Sequence, residues 1–243
     1  MKNNYDITLI TCTKDRPRAF HVCQQLVARQ TFKGKIQWII VDDGMELVKC
    51  TYDPLLINCN IKLDYIRRKP KADDPKFTLH LNLKAALEAG IESDKVLFIE
   101  DDDWYHPDYV GTMYALLNQY EMVGESNAIY YHIPARKWGM MGNNCHASLC
   151  QTGMQISIIS ELERVLRRND KFLDIPLWAS EVKRHLFRNQ PSPLCIGMKG
   201  LGNIGIGIGH DAGYFLYKRD AELIKLELLI GKDIDLYKEW LES

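Results

Sequence analysis

In the first half of the chain, segments with the hydrophobic pattern of a β-strand alternate with segments that have the pattern of an α-helix. Short apolar, β-branched runs predict strands over residues 7–12, 36–41, 61–66 and 95–99. Apolar residues at helical spacing predict helices over residues 19–30 and 79–89, and a third helix from Pro107 to about Tyr120. Strands that alternate with helices predict an α/β fold with a mostly parallel central sheet flanked by helices.

The second half of the chain has a less regular pattern. Strands are predicted over residues 128–133 and 154–159, and helices over residues 162–168 and 177–187. A glycine-rich loop follows over residues 199–213, and a last helical segment comes after it. There is no internal repeat, no low-complexity segment and no obvious linker, so the pattern favours a single domain over residues 1–243.

Polar clusters follow three of the predicted strands at the point where each strand ends. They are Thr13–Arg16, Asp42–Gly44 and Glu100–Asp103. Right-handed crossovers bring the carboxyl ends of parallel strands to one edge of the sheet, and ligands of open α/β sheets bind at that edge. The three clusters therefore predict a ligand site there.

Charge and cysteine content narrow the class of protein. The chain has 31 Lys and Arg against 32 Asp and Glu, a formal net charge of -1, which argues against general polyanion binding. Its seven cysteines are scattered and form no Cys-x-x-Cys pair, which argues against a zinc cage or a disulfide framework. Reduced cysteines indicate a cytoplasmic location, in a bacterium or in a host cell if the protein is viral.

The hydropathy pattern predicts no transmembrane segment and no signal peptide. No apolar stretch is long enough to span a bilayer. The N-terminal apolar run lacks a small-residue cleavage site and is interpreted as the first strand.

Four consecutive carboxylates, Glu100 to Asp103, come directly after a predicted buried strand. Adjacent like charges repel, and burial increases the cost, so a bound cation would explain them. Hard divalent cations prefer oxygen ligands, and Asp102 is the candidate metal ligand. The alternative is that Asp103 or Asp108 caps the helix that begins near Pro107.

Four segments in this order resemble the family 2-like glycosyltransferases of GT-A fold. "FIEDDDWYHPDYV" resembles their Asp-x-Asp metal motif, "ITLITCTKDRP" their first strand and nucleotide-contacting loop, "WIIVDDG" their second strand, and "LHLNLKAALEAG" the helix before the metal motif. The resemblance implies one GT-A-type, Rossmann-like domain. Residues 1–120 would be its nucleotide-sugar-binding half and residues 121–243 its acceptor-binding half.

The resemblance also implies roles for particular residues. Asp102 would bind Mn²⁺ or Mg²⁺ directly, and His210 would be a second metal ligand, although a lone histidine also suits a structural role. Glu100 stands where the family usually has its first Asp, and would face the ribose or hold a metal-bound water. The residues that would contact the donor, expected to be a UDP-sugar, are Thr11, Thr13, Arg16, Asp42, Asp43, Asn82, Glu100 and Asp101.

A catalytic base is expected from the second half of the chain. In the resembling family an Asp or Glu precedes an aromatic-rich helix, and "KFLDIPLWASEV" fits that description. Asp174 is the first candidate and Glu181 the second, and either would serve an inverting transfer. Asp174 could equally be the N-cap of a helix that follows Pro176.

The leading hypothesis is thus a metal-dependent glycosyltransferase that moves a sugar from a nucleotide-diphosphate sugar to an acceptor hydroxyl. The acceptor would be a glycan or a small molecule. A second possibility is modified DNA, because some bacteriophage glycosyltransferases act on hydroxymethylated DNA bases. A nucleotidyltransferase with a similar metal site is disfavoured, because "TCTKDRPR" contains no glycine for a phosphate loop.

Overall fold

The computed structural model describes residues 4–46, 48, 60–168, 170–188, 192–202 and 207–242. Its strands are β1 (Ile7–Thr13), β2 (Ile36–Asp42), β3 (Ile61–Arg67), β4 (Lys95–Phe98), β5 (Trp104–Tyr105), β6 (Met122–Glu125), β7 (Ile129–His132), β8 (Lys137–Met140), β9 (Thr152–Gln155), β10 (Arg184–Phe187), β11 (Cys195–Lys199) and β12 (Lys218–Arg219). Its α-helices are α1 (Pro17–Ala28), α2 (Leu79–Ala89), α3 (Tyr109–Leu117), α4 (Ile159–Arg168), α5 (Asp174–Trp178), α6 (Ile224–Ile230) and α7 (Lys238–Leu241).

A seven-stranded sheet forms the centre, in the order β10-β6-β9-β4-β1-β2-β3. The strands β4, β1, β2 and β3 are parallel to one another, and the register pairs Thr13 with Asp42. The polar residues that follow β1, β2 and β4 therefore meet at one edge of the sheet, as the sequence predicts.

Helices cover both faces of this sheet, because its strands carry apolar residues on both sides. Leu9 of β1 packs in the core cluster that includes α1 and α3. The next residue, Ile10, points the other way and packs in the cluster that includes α2, α4 and α5. This arrangement is the predicted α/β fold with a mostly parallel sheet.

Strand β9 is antiparallel to both of its neighbours, β4 and β6. Its Gly153 lies against the Leu97 side chain, where a Cβ atom would clash, so the close approach of β9 and β4 requires glycine. The predicted strand over residues 154–159 is thus displaced: β9 ends at Gln155, and the following residues form a 3₁₀ turn that leads into α4.

The helix predicted over residues 177–187 is wrong. Helix α5 ends at Trp178, and Arg184–Phe187 forms β10, which pairs in parallel with the edge of β6. Apolar spacing in this segment fits a helix, but pairing with a strand some sixty positions earlier in the chain overrides it.

A second, five-stranded sheet in the order β12-β8-β7-β11-β5 stands next to the first. Strand β5 follows the four acids directly and pairs antiparallel with β11, while β11 is parallel to β7. This sheet brings the residues at the end of β11 beside the acidic turn. Of the glycine-rich loop after β11, residues 203–206 lie outside the described residues, and Ile208–His210 forms a 3₁₀ turn.

Within the described ranges, none of the helices combines the length and the apolar character that crossing a bilayer requires.

Candidate active site

A cavity of about 930 Å³ opens at the carboxyl edge of the central sheet. Eight of the residues singled out in the sequence line it: Thr13, Arg16, Asp43, Asn82, Glu100, Asp102, Asp174 and His210. Residues from both halves of the chain are thus brought together around one space.

The floor of the cavity is the acidic turn after β4. Thr13 Oγ1 donates a hydrogen bond to Asp101 Oδ2 at 2.6 Å. The Arg16 guanidinium forms ion pairs with both Asp101 and Asp102, the latter at 2.7 Å. Asp101 is buried and does not line the cavity. Its side chain contacts Arg16 and Thr13.

Three carboxylates of this turn can reach one point. Oxygen atoms of Glu100, Asp102 and Asp103 lie within 4.8 Å of one another. Asp103 Oδ1 accepts hydrogen bonds from the Met198 backbone N–H at 2.9 Å and from Lys199 Nζ at 3.1 Å. Asp103 Oδ2 is buried and receives no hydrogen bond.

The pKa values show that the acids are crowded. Burial, together with the Asp103 carboxylate, raises the pKa of Glu100 to about 8. Burial also raises the pKa of Asp101 to about 7, although Arg16 opposes the rise. For Asp102, burial favours the neutral form, but the cations Arg16 and Lys199 outweigh it and lower its pKa.

The cations near these acids are too few to balance them. Four carboxylates meet two directly paired cations, Arg16 and Lys199. His210 adds no charge at neutral pH, because burial and the nearby Lys199 lower its pKa to about 4. If all four carboxylates were ionised, they would exceed these two cations by two charges. The raised pKa values of Glu100 and Asp101 show that proton binding relieves this excess when no further cation is bound. A divalent cation with oxygen ligands fits this cluster.

Lys199, at the end of β11, is a site residue that the sequence reasoning missed. Its side chain is buried, and its Nζ lies over the Tyr130 ring at 4.7 Å from the centroid. Burial opposes the charged form, but Asp103 and Asp102 outweigh it and raise the pKa of Lys199 well above its usual value. A lysine that ends a strand and precedes a glycine-rich loop was the available signal.

A second polar network, around Arg68, forms one wall of the cavity. Arg68 binds the Asp43 carboxylate at 2.5 Å, the Asn82 amide oxygen at 2.6 Å and Asp74 at 2.7 Å. Asn82 also donates to Asp43 at 2.9 Å. Burial disfavours the Asp43 carboxylate, but hydrogen bonds from Thr78, Asn82 and Arg68 outweigh it and lower its pKa.

Besides Asp101, two of the predicted donor contacts, Thr11 and Asp42, do not line the cavity. The Thr11 hydroxyl lies inside the core and accepts a hydrogen bond from Trp38 Nε1 at 2.9 Å. The Asp42 carboxylate accepts hydrogen bonds from the Gly44 and Val48 backbone N–H groups and from the Tyr65 hydroxyl, so it holds the loop after β2 together.

The two candidate bases are separated by the structure. Asp174 lies at the rim of the cavity, and its Oδ2 is 3.7 Å from His146 Nε2. Burial raises its pKa, and His146 opposes the rise. Asp174 is the first residue of α5 and does not cap it, since Leu173 holds the N-cap position. Glu181 is exposed and is absent from the cavity lining.

No protein-family model and no curated protein matches this sequence. Solved structures match it in three dimensions, among them those of S. aureus TarS. The structure of TarS 1-349 in complex with UDP superposes with a TM-score of 0.56 at 11% identity, over 79% of this chain and 60% of that one. Its complex with UDP-GlcNAc gives 0.51 at 13% identity, over 86% and 61%. The fold is of the GT-A type.

The chain spans about three-fifths of TarS 1-349 and 36% of the longer TarS chain. At these identities the likeness concerns the GT-A fold. In this chain, Glu100 and Asp102 after β4 line one cavity with Arg16 after β1 and Asp43 after β2. His146, beside Asp174, was not singled out from the sequence, where nothing marks it.

Proposed function

We propose that this protein is a metal-dependent glycosyltransferase that moves a sugar from a UDP-sugar to an acceptor hydroxyl. The observation that carries the proposal is the acidic turn at the carboxyl edge of the sheet, where four carboxylates share two directly paired cations and Glu100 and Asp102 line the cavity. The GT-A fold and the TarS complexes with UDP and UDP-GlcNAc support this choice of donor.

The acidic turn would hold Mn²⁺ or Mg²⁺ through Asp102, with Glu100 and Asp103 beside it. The oxygen atoms of these three carboxylates lie within 4.8 Å of one another, which suits a hard cation, and the neutral imidazole of His210 lines the same cavity as Glu100 and Asp102. When bound, the ion supplies positive charge that stabilises a diphosphate leaving group.

The residues on either side of the turn have complementary tasks in this proposal. Arg16 and Lys199 place two fixed positive charges at the floor, where a diphosphate would accumulate negative charge. Asp43 and Asn82, which line the cavity and are held by Arg68, offer hydrogen-bond donors and acceptors suited to a nucleobase.

Asp174 would act as the base of an inverting transfer. It would take the proton of the acceptor hydroxyl as the acceptor oxygen bonds to the anomeric carbon, while the bond from that carbon to UDP breaks. Burial raises its pKa, which makes the Asp174 carboxylate a stronger base than an exposed one.

The acceptor, a glycan or a small molecule, stays a prediction, and so do the division into halves at residue 120 and the cytoplasmic location. Among the described residues, no observation favours modified DNA as acceptor or nucleotidyl transfer as the reaction.

A thermal-shift panel tests the proposal. We expect a UDP-sugar with Mn²⁺ to raise the melting temperature more than either component alone, because a ligand at a hundred times its Kd adds about 2.7 kcal/mol of stability. Release of UDP on addition of acceptor candidates then measures transfer. Stabilisation by nucleoside triphosphates but by no UDP-sugar would contradict the proposal and indicate nucleotidyl transfer.

A further inference from the structure

Two buried cysteines lie directly behind the acidic turn. Cys150 is in the 3₁₀ turn Leu149–Gln151 that precedes β9, and Cys195 is the first residue of β11. Their sulfur atoms and a carboxylate oxygen of Asp103 lie within 4.8 Å of one another. All three side chains are at most 2% exposed, and both cysteines are free thiols.

The backbone fixes this arrangement. Antiparallel pairing of β5 and β11 sets Cys195 opposite Tyr105, which is two residues after Asp103. The Gln151 side chain donates to the Cys195 carbonyl oxygen at 3.2 Å, and the Tyr109 hydroxyl donates to the Cys150 carbonyl oxygen at 3.0 Å. These hydrogen bonds hold both cysteines through their backbones. Their thiols interact with one another, and the Cys150 thiol also interacts with the Asp103 carboxylate.

The two oxygens of Asp103 have different surroundings. Oδ1 accepts from Met198 and Lys199, whereas Oδ2 is buried and receives no hydrogen bond. A buried carboxylate oxygen without a donor is unusual, because leaving such an atom unpaired costs free energy. A cation close to Oδ2 would account for it.

We propose that Asp103, Cys150 and Cys195 form a binding site for a thiophilic divalent cation of the Zn²⁺ or Cd²⁺ class. Two thiolates and one carboxylate are ligands that such ions prefer, whereas Mg²⁺ and Mn²⁺ prefer oxygen ligands alone. Tetrahedral ligands at about 2.3 Å place two sulfur atoms about 3.8 Å apart, which is compatible with the observed spacing. The two thiol protons pass to the buffer as the ion binds.

An ion can reach the site from the cavity. Cys150 lines that cavity, whereas Cys195 and Asp103 lie behind it. The site is distinct from the acidic cluster but shares Asp103 with it, and the inference does not rest on the proposed reaction, because its test measures ion binding.

Cadmium titration of the reduced full-length protein tests the site through the ultraviolet charge-transfer absorption of cadmium thiolates. We expect one tightly bound Cd²⁺ per chain, and binding at least about 100-fold weaker in Cys150→Ser and in Cys195→Ser, since losing even an outer partner of a ligand costs 10–100-fold. Cys12→Ser is the matched control, because Cys12 lines the same cavity but belongs to neither group of candidate ligands, and its affinity should be unchanged.

A measurement on the wild-type protein covers the case in which a serine variant fails to fold. Bound Cd²⁺ should protect Cys150 and Cys195 from alkylation by iodoacetamide in mild urea, while the exposed Cys145 reacts fully. Absence of a stoichiometric absorption band, or protection of other cysteines in place of this pair, would overturn the proposal.

Discussion

Arg16 is the residue on which the charge balance of the acidic turn depends first. It pairs with Asp101 and Asp102 at once, and its side chain is only 13% exposed. Asp102 belongs both to this ion-pair network and to the lining of the cavity. The carboxylate proposed to hold the metal therefore has a cation beside it before any ion binds.

Replacing Asp102 with Asn should lower metal-dependent transfer by at least about 100-fold, because a neutral amide cannot supply the anionic oxygen that a hard cation needs. Turnover would be measured across a Mn²⁺ titration, with circular dichroism as a check on folding. The matched control is Asp73→Asn, since Asp73 is an exposed carboxylate on the same cavity, and it should retain activity. Equal Mn²⁺ dependence in both variants would remove Asp102 from the metal site.

Asp174→Asn should have opposite effects on turnover and on stability. Loss of the base lowers turnover by roughly 10²–10⁴-fold. The folded-state pKa of Asp174 is raised, so the folded state binds the proton more tightly and the ionised form costs stability at neutral pH. The Asn variant should therefore melt at a higher temperature than wild type at pH 7.

This gain in melting temperature should vanish as the pH falls below the unfolded-state pKa of about 3.9, where both states are protonated. Melting curves at several pH values check the trend. Normal turnover in Asp174→Asn would move the search for the base to another residue, although Glu181 is exposed and distant from the cavity lining.

At the scale of the elements, two residues of one strand that were both predicted to contact the donor have different surroundings, because one lies nearer the end of the strand. Thr11 and Thr13 lie on the same face of β1, because strand side chains alternate with a period of two. Thr13 ends the strand and reaches Asp101, whereas Thr11 lies one pleat deeper and bonds to Trp38.

Donor affinity should therefore respond to Asp43 and not to Thr11. Asp43→Ala removes a charged partner of Arg68 and Asn82, and a loss of about 1.5–3 kcal/mol would weaken UDP binding roughly 10–100-fold. Thr11→Val is the control: it leaves Trp38 Nε1 unpaired and lowers stability by about 1–3 kcal/mol, but UDP affinity by calorimetry should be unchanged. The opposite ranking of the two Kd values would contradict this assignment.

The first half of the fold could be predicted from the sequence because its apolar residues repeat at clear strand-like or helical spacings. Strands β1 to β4 and helices α1 and α2 fall where the pattern places them, and parallel pairing then brings their polar ends together. Strand β10 could not be predicted, because its apolar residues fit a helix and only pairing with β6 makes them a strand.

Lys199 illustrates the limit for the site. Its partner Asp103 is 96 positions earlier in the chain, and the local signal, a lysine at a strand end before a glycine-rich loop, does not identify that partner. Its role follows only from the pairing of β11 with β5. Long-range contacts of this kind do not show in a single sequence.

At the scale of the whole molecule, the C-terminal segment supports the turn that carries the acids. Asp233, in the 3₁₀ segment Gly231–Tyr237, accepts a hydrogen bond from Trp104 Nε1 at 2.8 Å and pairs with both terminal nitrogens of Arg29. Trp104 directly follows Asp103. Helix α1 and the acidic turn are thus tied to the same carboxylate.

Asp233→Asn should lower the free energy of unfolding by about 1.5–3 kcal/mol, because it removes the charge from these partly buried hydrogen bonds. Urea denaturation measures the change. The control is Asp235→Asn, whose carboxylate is 63% exposed and pairs with Lys238 on the surface, so its effect should stay below about 1 kcal/mol. Equal losses in the free energy of unfolding would show that Asp233 stabilises the fold no more than the exposed Asp235.

The separation of these partners along the chain has a consequence for synthesis. Asp233 lies 129 positions after Trp104, a distance that takes roughly 6–26 s to translate at about 5–20 residues per second. During that interval the four acids have left the ribosome but Lys199 and Asp233 have not. The described ion-pair partners of the acids are Arg16 and Lys199. Arg16 is synthesised before the acids, so it is the partner that is available during this interval. The nascent acidic turn must therefore stay hydrated or protonated until translation is nearly finished.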